Sequence, residues 1–377
     1  MASKKVCVVG AGVSGLVSAR ELRREGHDVT VMEQCGGVGG QWLYDRRTDV
    51  HSCIYASLRL ILPRQAMSFS DFLFYPRDGG DARRYPGHGE FLRYIRDYCD
   101  KFGLMDAVRL HTKVLRVAKM DDEAGDSRWL VKSCTRRGED DGAGEAVVNE
   151  EVFDAVVVAV GQYAQPRLPN INGMEKWKRR QLHSHSPWTT SSPPCPRRCR
   201  GTAIYTYSFA FLDTGGAVTV DDNRVGPLHE HTFPPALAPS LSFVGVPRKV
   251  IVPRFYELQA RWVAQVLSGR QTLPPVEEML RSVAEYNRAR EMAGVPKSHT
   301  HVIFDLEYCD EFGEKHCGFP RLPEWKKELV WSSIHNMRDD HEMFRDNYHD
   351  SELVREGLRS QGWLAGPEDN VQDRIKV

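Results

Sequence analysis

The chain has 377 residues, of which 41% are hydrophobic and 10% aromatic, a composition typical of a protein with a buried core and room for two domains. Lys and Arg together number 51, as do Asp and Glu, so no net charge favours nucleic acid or anionic lipid. No apolar run is long enough to cross a bilayer, and the strand-like VCVVG follows MASKK directly. We therefore expect a cytoplasmic protein without nucleic-acid or membrane partners, in which the nine scattered cysteines are reduced.

The N-terminal segment has the pattern strand, turn, helix, strand. Residues 6–9 form a short apolar run typical of a buried parallel strand, and residues 28–33 form a second one. Between them, Gly10, Gly12 and Gly15 give the motif GxGxxG at the start of the predicted helix. In this context the first glycine permits the turn, the second lets a pyrophosphate approach the backbone, and the third lets the helix pack on the sheet. The motif predicts a phosphate cradle formed by Gly10, Ala11, Gly12, Val13, Ser14 and Gly15.

The residues after this motif indicate which nucleotide is bound. Glu33 ends the second strand at the place where an acid accepts hydrogen bonds from an adenosine ribose, and its charge would repel a 2′-phosphate. We therefore expect FAD or NAD, and the second glycine cluster, GGVGGQWLYD at 36–45, favours FAD. Gly40, Gln41 and Trp42 are assigned to the cofactor, although Trp42 is explained equally well as a packed aromatic. The alternative for the whole segment is a glycine-rich turn in a nucleotide-free α/β protein.

The later patterns predict further elements of an α/β fold. Apolar residues recur at helical spacing over 88–103 and 255–268. They alternate as in strands over 112–119, 128–134 and 146–152, and they form short runs typical of buried strands at 155–160 and 240–246. Together they predict a doubly wound parallel sheet of the Rossmann-like, FAD-binding type with a small β meander and C-terminal helices.

Three longer segments carry a family resemblance. Residues 57–104, 153–185 and 220–249 are similar to the flavin-containing monooxygenases, most closely to the plant branch that oxygenates thioether sulfur. The resemblance implies an enzyme that binds FAD, is reduced by NADPH, and uses dioxygen to oxidise a soft sulfur or nitrogen nucleophile, such as a thioether to a sulfoxide. The cofactor carries that chemistry, so no catalytic residue is assigned. A decarboxylating monooxygenase of the auxin-pathway type is the runner-up, and GPLHEHTFPPALAPSLSFVG favours the sulfur branch.

The family's second nucleotide site has no counterpart here. In the family an NADPH domain with its own GxGxxG follows the signature aromatic-x-Gly-x-x-x-His-x-x-x-aromatic, whose glycine and last aromatic are Arg179 and Pro187 in this chain. Only 17 residues separate His185 from Ala203, too few for such a domain. We interpret PWTTSSPPCPRRCR as the junction left where the NADPH domain is missing, with a linker that evolved in place as the alternative.

These considerations divide the chain into four parts. Residues 1–185 and 204–335 are assigned to the two halves of the FAD-binding domain, 186–203 to the junction, and 336–377 to a polar C-terminal tail. Loss of the intervening domain is expected to uncover apolar surface and to promote self-association.

Loss of the NADPH domain removes the hydride donor, so we expect impaired turnover. The alternatives are a non-catalytic FAD-binding remnant or the product of a defective gene model. Two departures from the family lie near the expected flavin: Ile61 in place of a polar Asn, and residues 252–254 in place of a Gly- and Phe-containing turn.

A metal site is not expected from the sequence. The pairs HSH, HEH and HTH and the cysteines at 195, 199, 309 and 317 lack metal-ligand spacing, so the histidines are interpreted as structural or surface residues.

Overall fold

The computed structural model describes residues 3–45, 54–120, 128–137, 145–161, 165–166, 172–176 and 205–364. The predicted junction and the signature around Arg179 lie outside these residues. The described strands are, in chain order, β1 (Lys5–Val9), β2 (Asp28–Met32), β3 (Val108–Arg109), β4 (Thr112–Met120), β5 (Arg128–Arg137), β6 (Glu145–Phe153), β7 (Ala155–Val158), β8 (Gln165–Pro166), β9 (Tyr205–Thr206), β10 (Leu212–Asp213), β11 (Thr219–Asp221), β12 (Arg224–Gly226) and β13 (Leu241–Phe243). The described α-helices are α1 (Val13–Arg24), α2 (His88–Lys101), α3 (Val252–Leu267), α4 (Val276–Met292), α5 (Leu306–Cys317), α6 (Glu324–Asp339) and α7 (Glu352–Ser360).

A five-stranded parallel sheet forms the centre of the fold. Its strand order is β13-β7-β1-β2-β3, and every neighbouring pair is parallel. Side chains alternate across β1: Val6 and Val8 belong to the core shared with the helices, whereas Cys7 and Val9 face a second core. Because both faces of the sheet are buried, its strands are almost continuously apolar, which explains the runs seen in the sequence.

The second core lies under the β meander. Strands β4, β5 and β6 pair antiparallel in that order, and β10 adds to β4 in parallel. Trp129 and Phe153 from the meander are fully buried against the parallel sheet. The predicted α/β fold with a parallel sheet, a β meander and C-terminal helices is confirmed.

Helices cover the opposite face of the sheet and continue beyond it. Helices α1 and α3 pack on each other there, and α5 packs on α3. The segment predicted as a polar tail contains α7, whose Val354 and Leu358 are buried against Trp325 and Leu329 of α6. A spacing of four residues places both apolar side chains on one face of an otherwise polar helix. Among the described helices, none combines the length and the apolar character that a membrane span requires.

The two flanks of the junction lie side by side. Strand β8 precedes the junction and pairs antiparallel with β9, which follows it, with Gln165 opposite Thr206. The Asn223 side chain fixes the second flank, since its Oδ1 accepts from the Tyr207 N–H at 2.8 Å and its Nδ2 donates to the Tyr205 carbonyl at 3.2 Å. Chain continuity therefore does not require a domain between β8 and β9.

Arg64 fixes the long connection between β2 and α2. Its side chain is 1% exposed, and its guanidinium donates to the carbonyl oxygens of Arg83 at 3.0 Å, Phe74 at 3.2 Å, and Asp81. Replacing Arg64 by Met is expected to lower the free energy of unfolding by about 2 kcal/mol, because buried carbonyls lose their donor. Urea unfolding measures the change, with the exposed Arg96→Met as control. Equal midpoints for the two variants would contradict the assigned role.

Candidate functional site

The turn after β1 requires glycine at two positions. Gly10 has φ 102°, and a Cβ there would lie 2.8 Å from the Ala159 carbonyl oxygen. A Cβ on Gly15 would lie 1.8 Å from the Gly10 carbonyl oxygen, so α1 approaches the turn more closely than any side chain permits. The Gly10 N–H donates to the Met32 carbonyl at 2.9 Å and ties the turn to the end of β2.

The N-terminus of α1 faces a cavity. Gly12 is its extended N-cap residue; no side chain caps the helix, and no acidic residue occupies its first turn. The first N–H groups of a helix have no partner within it, and the dipole makes this end positive. Gly12, Val13 and Ser14 line the cavity, and a Cβ on Gly40 would lie 2.9 Å from the Gly12 Cα. The two loops therefore form a narrow cradle of backbone, which suits an anionic group.

The carboxylate of Glu33 is held in place at the side of the cradle. Its Oε2 accepts from the Ala11 N–H at 2.7 Å and its Oε1 from the Cys35 N–H at 2.9 Å. The residue is 6% exposed and lines the cavity. Each carboxylate oxygen can accept more than one hydrogen bond, so both can still accept one from a ligand hydroxyl.

The second glycine cluster closes over the cradle. The Gly39 N–H donates to the Ala11 carbonyl at 2.9 Å, and Gly40–Trp42 form a short 3-10 helix whose three residues line the cavity. Trp42 also packs edge-on against Phe91, with ring centroids 4.6 Å apart. Trp42 therefore both packs in the core and lines the cavity, and its assignment to the cofactor stays a prediction.

Every predicted site residue lies in or next to this cradle. Gly10, Gly12, Val13, Ser14, Glu33, Gly40, Gln41 and Trp42 line the cavity. Ala11 and Gly15 do not line it, but Ala11 holds Glu33 and Gly15 packs against Gly10.

The cavity, of about 310 Å³, extends well beyond the motif. Lining residues that the motif analysis did not assign are Val9, Met32, Gln34, Gly39, Thr112, Lys113, Val114, Ala159, Val160, Gly161, Thr206, Ser208, Phe211, Gly245, Pro247, Arg248, Lys249, Val252 and Tyr256. Many of them follow the carboxyl ends of parallel strands, where α/β folds bind ligands, and that signal could have found them.

The two departures from the family in the sequence differ in their positions. Ile61 is 51% exposed and does not line the cavity. Val252 lines it and begins α3, whose first turn also holds Pro253. A proline has no N–H, so this helix end offers one donor fewer to a ligand.

Two of the three histidine pairs meet in space. His231 and His301 contact each other through their Nδ1 atoms at 2.9 Å, whereas the pair at 183–185 lies outside the described residues. The described part of the chain contains no group of three or more His, Cys, Asp or Glu side chains placed to hold a metal ion. Burial raises the pKa of the Cys309 and Cys317 thiols to about 12.

Comparisons with known proteins find similar sequences and a similar fold. The model of the flavin-binding monooxygenase-like family matches residues 3–190 and 201–325, with its break inside the predicted junction. Flavin-containing monooxygenases FMO GS-OX-like 9 and GS-OX-like 8 of Arabidopsis thaliana are both 40% identical, over 452 and 446 positions, covering 95% of this chain and 96% and 95% of those proteins. The structure of S-allyl-L-cysteine S-oxygenase from Allium sativum superposes with a TM-score of 0.83 at 34% identity, covering 96% of this chain and 99% of that one. Both Arabidopsis alignments are longer than the 377 residues of this chain, so the relatives contain residues that it lacks.

Proposed function

Because the chain belongs to the flavin-binding monooxygenase-like family, we propose that it is an FAD-binding member of the plant sulfur-oxygenating branch whose own turnover is impaired. The observation that carries the proposal is that the described residues contain a single nucleotide cradle, the one behind β1. The alignment with FMO GS-OX-like 9 spans 452 positions and is thus longer than this chain, which fits the loss of a second nucleotide domain. The proposed reaction is the transfer of one oxygen atom from dioxygen to a soft sulfur or nitrogen nucleophile, a thioether first of all.

The residues of the cradle fit FAD. The uncapped end of α1 at Gly12, Val13 and Ser14 would hold the pyrophosphate, and Glu33 would accept the ribose hydroxyls. The lining at 112–114 and at 245–256 would contact the rest of the nucleotide. When bound, FAD supplies the redox chemistry of the oxygen transfer.

The protein's own contribution is binding and exclusion of water. Glu33 orients the nucleotide, and aromatic and aliphatic side chains such as Trp42, Phe211 and Val252 form a wall of low polarity. A thioether such as the S-allyl-L-cysteine named for the Allium relative is the proposed substrate class. No side chain is assigned as a general acid or base, because a thioether sulfur carries no proton that must be removed before it is oxidised.

Impairment follows from the missing hydride donor. The described residues contain one parallel sheet of more than two strands, and the flanks of the junction pair directly through β8 and β9. We propose that 1–185 and 204–335 form one FAD domain, that 186–203 replaces the NADPH domain, and that the surface so uncovered promotes self-association.

The test is an assay of purified protein reconstituted with FAD and supplied with NADPH and S-allyl-L-cysteine. We expect a flavin spectrum but no sulfoxide formation that saturates with NADPH, while the S-allyl-L-cysteine S-oxygenase from Allium sativum serves as the positive control. Reduction by dithionite followed by air should give hydrogen peroxide in place of sulfoxide. Coupled sulfoxide formation with saturable NADPH dependence would overturn the proposed impairment.

The alternatives are a non-catalytic FAD-binding protein and the product of a defective gene model, both favoured by the same missing domain. Sequencing the transcript across residues 185–205 distinguishes the second of these. A protein that retains FAD but does not oxidise NADPH at all would be the non-catalytic form.

A further inference from the structure

A second cavity, of about 370 Å³, lies outside the FAD cradle. It is enclosed by the β11–β12 hairpin, helix α4 and the segment 297–301, and it shares no lining residue with the cradle. His231 and His301 both line it, although each is at most 4% exposed. Buried imidazoles in the wall of a cavity are donors or acceptors held at a fixed position.

The hydrogen bonds fix the tautomers of both rings. The Val225 N–H donates to His301 Nε2 at 2.9 Å, so Nε2 carries no proton and the neutral ring carries it on Nδ1. His301 Nδ1 is 2.9 Å from His231 Nδ1, a hydrogen-bond distance at which one nitrogen donates its proton and the other accepts it. His231 Nδ1 is therefore the acceptor, and its own proton lies on Nε2. Burial lowers the pKa of His231 to about 4 and that of His301 well below its usual value, so both rings are neutral at neutral pH.

The Nε2–H of His231 is a donor without a hydrogen-bond partner among the described residues. His231 lines the cavity, and its Nε2 is not among the side-chain atoms that lack both a hydrogen-bond partner and contact with solvent. The Tyr286 ring packs edge-to-face against the His231 ring, with centroids 4.9 Å apart. The Tyr286 hydroxyl donates to the Thr300 carbonyl at 3.1 Å, and this bond fixes the tyrosine against the imidazole. The wall therefore presents one oriented N–H group.

A guanidinium lines the same cavity. Arg224 precedes Val225, its Nε donates to Thr300 Oγ1 at 2.7 Å, and its Nη2 pairs with Glu291 at 2.8 Å. These two bonds leave Nη1 as a further donor of a fixed, charged group.

The two carboxylates in the cavity lining are already engaged. Glu230 accepts from the Tyr308 hydroxyl at 2.9 Å and from Lys315 Nζ at 3.2 Å, and Asp221 is paired with Lys297. These neighbouring carboxylates would disfavour a dianion such as phosphate. Apolar side chains, among them Leu228 and Val283, form the remaining wall.

We propose that this cavity binds a small organic carboxylate, whose oxygens accept from His231 Nε2 and Arg224 and whose aliphatic part packs on Leu228 and Val283. The site is separate from the cradle, so the proposal does not depend on flavin binding or turnover. It gives a role to one histidine of HEH, His231, and to one of HTH, His301.

The test uses 4-methylpentanoate as the probe, with the neutral 4-methylpentanamide as its matched control. In ¹⁵N-histidine-labelled full-length protein, NMR should show His301 protonated at Nδ1 and His231 at Nε2, and the probe should shift the His231 Nε2 resonance. Calorimetry should show saturable binding of the carboxylate that is about tenfold or more tighter than that of the amide.

Two variants separate the site from general effects. Arg224→Gln should weaken the carboxylate about tenfold or more, whereas Arg96→Gln, at an exposed position outside the cavity lining, should leave its affinity unchanged. A His231 proton on Nδ1, no saturable carboxylate binding, or equal binding of acid and amide would each overturn the proposal. These readouts on the parent protein decide the matter even where a variant fails to fold.

Discussion

Replacing Gly15 by alanine is expected to lower the free energy of unfolding by about 3 kcal/mol or more and to abolish retention of FAD. The added Cβ would lie 1.8 Å from the Gly10 oxygen and 2.9 Å from the Gly10 carbonyl carbon, both backbone atoms that no rotamer change can move. Helix α1 would have to shift away from the turn, and the cradle at its N-terminus would widen. A loss of this size is a large part of the stability of an ordinary domain.

Two other glycines serve as controls for this effect. A Cβ on Gly89 in α2 meets no atom within 4 Å, so Gly89→Ala should leave the protein as stable or slightly more so. A Cβ on Gly12 would lie 3.6 Å from the Gly40 Cα, an ordinary contact, but it would project into the cradle. Gly12→Ala should therefore fold normally and bind FAD about tenfold or more weakly.

Urea unfolding and flavin fluorescence after gel filtration measure both quantities on the three variants. If Gly15→Ala unfolded at the midpoint of the parent protein, the close approach of α1 to the turn would be wrong. If Gly12→Ala retained FAD as the parent does, the pyrophosphate would not lie where we propose.

The cradle could be predicted from the sequence because its pattern is local. Strand, glycine turn, helix and second strand follow each other within residues 6–33, and each element has its own composition. The dual hydrogen bonding of Glu33 could not be predicted, since it depends on how the turn at Ala11 and the loop at Cys35 meet. Alternation likewise predicted the meander strands, but not that they cover the second face of the parallel sheet.

The features that could not be predicted from the sequence depend on contacts between segments far apart in the chain. The pairing of β8 with β9 joins residues on opposite sides of the junction, and nothing in Gln165–Pro166 or Tyr205–Thr206 indicates a strand. His231 and His301 are 70 residues apart, so two separate HxH patterns become one hydrogen-bonded pair only in the fold. Helix α7 lies within the predicted polar tail; only two of its apolar side chains, Val354 and Leu358, are buried, and the contact they make with α6 is not visible in the local sequence.

The same histidine pair should make the fold sensitive to mild acid. Burial lowers the pKa of His231 from its ordinary 6.5 to about 4, with Glu230 opposing and Arg290 adding to that shift, and the pKa of His301 is lowered well below 6.5 as well. Between these values the unfolded chain binds a proton that the folded chain excludes. The stabilisation is therefore complete above about pH 6.5 and is lost as the pH falls towards 4.

The expected loss from His231 alone is about 3 kcal/mol at pH 4, and His301 adds to it in the same direction. Carboxyl groups with a lowered pKa, such as Glu230, also lose their contribution to stability in acid. That loss begins only at the ordinary carboxyl pKa and therefore falls at the acid end of this window. A steep decline already present between pH 6.5 and 5 therefore reports on buried histidines.

His231→Asn isolates the contribution of the pair, because the Asn Oδ1 can accept from His301 Nδ1 but does not titrate. Urea midpoints measured from about pH 7.5 to about pH 4.5 should fall less steeply in this variant than in the parent, whatever its stability at neutral pH. His341→Asn, at an exposed position, should keep the parental slope. If the urea midpoints of the parent and of His231→Asn fell with the same slope, His231 and His301 would not be the neutral hydrogen-bonded pair assigned to the second cavity. The oriented Nε2–H of His231, on which the carboxylate site depends, would be excluded with it.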